Sequence, residues 1–119
     1  MTYYHATLWE NYPSIKAEGL RIDKSLDLRI YLCKTADDCK RFFEIRPYLW
    51  DKVITVLKLE LDESTVFEST DHDEKYFGCK AYYTEQDVPP ERIKSFFNYE
   101  YTEERKQIAR ETREKLKLS

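Results

Sequence analysis

Apolar and polar residues alternate over several short stretches of this chain, and alternation of that kind predicts strands. Residues 2–8 are mostly Tyr, Thr and Leu, which suit a pleated surface and predict a first strand. Val53 to Leu61 is the clearest case. Val53, Thr55, Leu57, Leu59 and Leu61 share one face, while Ile54, Val56, Lys58 and Glu60 share the other, so one side is half wet. Arg29 to Cys33, Cys79 to Thr84 and Arg92 to Tyr99 predict further strands, and Val66 and Phe67 begin another.

Helical signals lie between and after these strands. Asn11 is a candidate N-cap, Pro13 falls in the first turn, and Ser14 to Glu18 continue to Gly19, the expected left-handed stop. Residues 23–28 are polar and predict a loop over one face. Thr35 caps a second helix, with Asp37 and Asp38 at its dipole-favoured end and an apolar face of Cys39, Phe42, Phe43 and Ile45. Pro47 limits its length. Residues 68–76 are acidic and polar and predict a surface loop. Thr102 caps a last helix with Glu103 and Glu104 at its start and Lys115 and Lys117 near its end. Its apolar positions are few (Ile108, Ala109, Leu116, Leu118), so it is expected to dock by one narrow stripe or to meet a partner. The pattern is α+β, with a main unit over 1–101 and the terminal helix over 102–119.

Composition narrows the function classes. A chain of 119 residues makes one domain. A net charge of -3 argues against a general nucleic-acid binder, which needs a basic face. No run of about 18 apolar residues predicts a membrane span, and no signal peptide is expected. Three cysteines without a C-x-x-C pair argue against zinc and against a disulfide framework, so a cytoplasmic setting is expected.

Two histidines are candidates for chemistry. His5 shares a strand face with Tyr3 and Thr7, and a His and a Thr on one face can both hydrogen-bond a ligand. His72 follows Asp71 in the acidic loop, where a neighbouring carboxylate can orient it as a general acid or base. A metal site from Asp71, His72 and Asp73 is not expected, because adjacent residues rarely converge on one ion.

The order of these features resembles the ADP-ribosyltransferase superfamily, in the branch of poly-ADP-ribose polymerases and RNA 2′-phosphotransferases. The residues that carry the resemblance are His5-Ala6-Thr7, Ser14-Ile15-Lys16-Ala17-Glu18-Gly19-Leu20, Ile30-Tyr31-Leu32, and Val88-Pro89-Pro90-Glu91-Arg92-Ile93. It spans roughly residues 3–96. It implies a small split antiparallel sheet with helices between the early strands, and NAD as cofactor. It further implies that His5 hydrogen-bonds the adenosine ribose, that the Ala6 backbone pairs with the nicotinamide carboxamide, and that Thr7 lies in the cofactor site. Tyr31 and Phe42 would sandwich the nicotinamide ring. The activity implied is transfer of ADP-ribose from NAD to a protein or nucleic-acid acceptor with release of nicotinamide. Small transferases resembling this one are found in bacterial and viral conflict systems.

The chain departs from that pattern at one position. Family spacing puts the usual catalytic Glu near Ala81, which has no carboxylate; Glu85 lies nearby in the turn after the strand. The RNA 2′-phosphotransferases also lack the Glu, but they bind phosphate with several arginines, of which Arg29 is the one candidate here. The alternatives are therefore a catalytically inactive module that binds NAD or ADP-ribose, and an acidic interaction or inhibitor protein.

Overall fold

The computed structural model describes residues 1–25, 27–44, 50–69, 80–100 and 102–118. Two antiparallel three-stranded sheets form the frame. The first contains β1 (Thr2–Leu8), β3 (Ile54–Glu60) and β6 (Ile93–Tyr99) in the order β1-β3-β6. The second contains β2 (Ile30–Leu32), β4 (Val66–Glu68) and β5 (Tyr82–Thr84) in the order β2-β5-β4. Helix α1 (Tyr12–Glu18) joins β1 to the segment before β2, α2 (Ala36–Glu44) follows β2, and α3 (Glu103–Leu118) ends the chain. The fold is thus α+β with a split antiparallel sheet. The 29–33 and 79–84 strands are shorter than expected at Ile30–Leu32 and Tyr82–Thr84, and Glu68 belongs to β4 rather than to the loop after it.

The central strand explains the core. Leu57, Leu59 and Leu61 pack with Tyr3, Ile15, Leu20, Ile30, Leu32 and Val88 between the two sheets. On the opposite face Ile54 packs against Trp50, and Val56 against Cys33 and Cys39, while Lys58 stays exposed. The half-wet face of the sequence is therefore dry at its first half and wet at its second. Cys33 and Cys39 are buried, unbridged thiols; the Cys39 hydrogen bond and burial both push the Cys33 thiol pKa up, so it stays protonated.

Two short backbone bridges add to the shared core, one between the edges of the sheets and one between the segments that follow α1 and β5. Tyr4 and Cys33 exchange two hydrogen bonds of 2.8 Å. Leu20 and Val88 exchange two more, at 2.8 and 2.7 Å. Gly19 makes the second link possible. Its φ is 77° and its ψ −168°, so it ends α1 with positive φ but not in the left-handed helical conformation expected. A Cβ there would lie 2.1 Å from the Val88 carbonyl oxygen. Asn11 occupies the N-cap position of α1 without capping it; its side chain instead donates to Thr7 Oγ1 at 3.3 Å.

Helix α3 starts as the sequence suggests, with Thr102 Oγ1 accepting from the Arg105 backbone N–H at 3.1 Å. Lys106 bonds Asp51 at 2.9 Å, and the Arg110 guanidinium lies 5.6 Å from the Trp50 ring. Polar and cation–π contacts thus hold the first turns of the helix, and Ile108, one of its four apolar positions, is exposed. The side chains of Ala109, Leu116 and Leu118 lie outside the described residues. No helix among the described residues is long and apolar enough to cross a membrane.

Candidate functional site

The site begins where two strands part. Tyr4 and Cys33 form a mutually hydrogen-bonded antiparallel pair, so the next such pair along the register would be Ala6 with Tyr31. No backbone bond joins Ala6 to Tyr31 among the described residues. The Tyr31 carbonyl is taken instead by the His5 ring, whose Nδ1 lies 2.7 Å away. A carbonyl only accepts, so Nδ1 carries the proton and Nε2 of the neutral ring is an acceptor. The same alternation turns the backbone N–H and C=O of Ala6 away from β3 and toward the gap between the parting strands.

Beside that gap lies a cleft of about 540 Å³, lined by the neighbours of Ala6 in β1 but not by Ala6 itself. His5 and Thr7 of β1 line it, with Ser14, Ile15 and Glu18 of α1. Arg21, Lys24 and Ser25 close it from the polar segment before β2, and Arg29 and Tyr31 from the strand itself. The polar loop expected over one face thus lies here, and it contains a short 3-10 turn at Ile22–Lys24. The imidazole and the phenol line one cleft. The Tyr31 hydroxyl donates to Asp27, and the His5 ring bonds the Tyr31 backbone carbonyl.

The electrostatics follow from this packing. Burial lowers the His5 pKa, with the Tyr31 carbonyl opposing it, so the ring is neutral at pH 7. The bond to Asp27 raises the Tyr31 pKa and keeps the phenol protonated. Hydrogen bonds from Ser25 and Tyr31 hold Asp27 below the usual carboxylate range. Arg21 pairs with Asp23 at 2.9 Å, which raises the guanidinium pKa further. The Arg29 guanidinium sits 4.1 Å from the centre of the Tyr83 ring.

Several residues singled out in the sequence do not bear on this cleft. Glu85 is exposed in the bend after β5 and is not among the lining residues. Ala81 is buried, so the position that family spacing assigns to a carboxylate is an apolar one in the interior. Phe42 lies in α2, but its side chain falls outside the described residues, as do Asp71, His72, Asp73 and Cys79. No cluster of three metal-ligating side chains occurs among the described residues.

Sequence reasoning missed Glu18, Arg21 and Lys24, and had Arg29 alone among the cations. The missed signal was the charge of the segment after Gly19, which reads as an ordinary polar loop until the fold bends it over β1. Neither a protein-family model nor a curated protein matches this chain.

Proposed function

We propose that the cleft binds NAD and that the protein transfers ADP-ribose to an acceptor. The observation that carries this reading is the bond between His5 Nδ1 and the Tyr31 carbonyl, which sets both residues on one cleft. A volume of about 540 Å³ suits a small-molecule site. Nε2 of the neutral His5 accepts a hydrogen bond from a ribose hydroxyl. The open backbone of Ala6 pairs with the carboxamide, both donor and acceptor. The Tyr31 ring stacks on the nicotinamide. Arg21, Lys24 and Arg29 oppose the charge of the diphosphate.

In the reaction the bond between nicotinamide nitrogen and ribose carbon breaks, and its electron pair leaves with nicotinamide. The carbon becomes positive and is captured by the acceptor's nucleophilic atom, which gives up its proton to water or to a carboxylate. Glu18, the carboxylate among the lining residues, opposes that positive charge on this reading. Glu85 and His72 are the sequence-based candidates for acid and base.

A second reading is a binding module that holds NAD without turnover. The buried Ala81 favours it, because that position offers no carboxylate to the ribose. Nicotinamide release and thermal stabilisation by NAD separate the two. Transfer requires both, and each is lost in His5→Ala and Tyr31→Ala; Glu18→Gln then stops release while stabilisation persists, and Glu85→Gln, outside the cleft, leaves both unchanged. A binding module gives stabilisation alone. NAD at about a hundred times its dissociation constant contributes about 2.7 kcal/mol, enough to raise Tm by several degrees. Absence of any shift at millimolar NAD refutes both readings.

A further inference from the structure

We propose that the outer face of the second sheet binds single-stranded nucleic acid by base stacking. On the transferase reading this strand is the acceptor, and that clause alone rests on the reading. The face is built by register. Tyr31 on β2 pairs with Tyr83 on β5, and Tyr83 pairs with Phe67 on β4, so the three aromatics form one row across the sheet. Their strand neighbours Ile30, Leu32, Val66 and Tyr82 pack on the core between the sheets. Alternation therefore turns the row away from that core. Ring centres lie 6.4 Å apart from Tyr31 to Tyr83 and 5.6 Å from Tyr83 to Phe67.

Three features point to a nucleobase as the occupant. First, Phe67 is 48% exposed on a three-residue strand and leans on Tyr83 with its remaining side open. Second, the Arg29 guanidinium lies over Tyr83, so the row joins aromatic faces to a planar cation. Aromatics with Arg at a sheet surface match the stacking face and backbone charge of an unpaired strand. Third, the row is continuous with the cleft through Tyr31 and Arg29, both of which line it, and the cleft adds Lys24 and an Arg21 already paired to Asp23. A duplex buries its base faces and has no use for the row, whereas a single strand does.

The test is fluorescence anisotropy with a labelled twelve-nucleotide single strand and the same sequence as a duplex, at one salt concentration. Wild type is compared with Phe67→Ala and Phe67→Tyr, and NAD-dependent Tm shifts are recorded on the same three proteins. The expected result is tighter binding of the single strand than the duplex. Phe67→Ala weakens it roughly five- to a hundredfold, the range for loss of one stacked base. Phe67→Tyr restores it, and the NAD shift is equal in all three. Equal binding of strand and duplex, no binding, or Phe67→Ala at wild-type affinity overturns the proposal. Strand binding without an NAD shift in wild type supports the face and removes the transfer reading. Labelling of protein alone from NAD, with the strand untouched, overturns the acceptor role.

Discussion

Replacing Gly19 by Ala tests the joint on which the cleft depends. At φ 77° and ψ −168° the backbone occupies a region that is essentially glycine's alone, and holding Ala there costs about 1–3 kcal/mol. The clash is separate. The new Cβ would stand 2.1 Å from the Val88 carbonyl oxygen and 3.0 Å from two Pro89 backbone atoms, none of which is a flexible side-chain end. Relief requires parting the Leu20–Val88 pair, whose two hydrogen bonds contribute about 0.5–1.5 kcal/mol each. Ala also restricts the unfolded chain, which offsets the loss by about 0.4–1 kcal/mol. The net destabilisation is about 1–5.5 kcal/mol, a large share of the roughly 5–15 kcal/mol of a typical domain. In urea, with a mid-range slope of about 2 kcal/mol per molar, the midpoint falls by about 0.5–3 M. A midpoint within about 0.3 M of wild type at unchanged slope refutes the reasoning, because the joint would then tolerate a side chain.

Further outcomes follow from single contacts. The lowered His5 pKa means that the unfolded chain binds the proton more readily, so its contribution to stability is whole above about pH 6.5 and is lost as pH falls below that value toward the folded pKa; urea midpoints at pH 7 and 5 should fall more in wild type than in His5→Gln. Leu57, fully buried between the sheets, should cost about 2–5 kcal/mol as Leu57→Ala, read from the same unfolding curves. Thr102→Ala removes the cap of α3 and should lower helical circular dichroism, with about 1 kcal/mol lost from the helix. Leu28→Asn should stabilise by up to about 1 kcal/mol, because Asn accepts the positive φ that Leu resists.

Much of the frame was legible because its signals are local. Alternation over 53–61 gives β3, and Pro13 and Gly19 bracket α1 to within a residue. Thr102 is read as a cap and acts as one. The site was legible in part, through His5 and Tyr31. What the sequence hid depends on distant parts meeting. Gly19 looks like a helix stop, yet the approach of Val88 is what excludes a side chain. Glu18, Arg21 and Lys24 are ordinary surface residues until the 20–29 segment folds back over β1. The row of Tyr31, Tyr83 and Phe67 exists only through the pairing of β2, β5 and β4, which no single stretch of sequence contains. The docking of α3 through Lys106 and Arg110 is likewise a matter of where Asp51 and Trp50 come to rest.

The two isolated backbone pairs have a mechanical consequence. Each lies outside the ladders of the two sheets, so it can open locally while the ladders and the core they share stay intact. The amides of Tyr4, Leu20, Cys33 and Val88 should then exchange with deuterium sooner than those within β3. A ligand spanning the gap acts as a stitch across it, slowing all four amides while leaving the interior of each ladder unchanged.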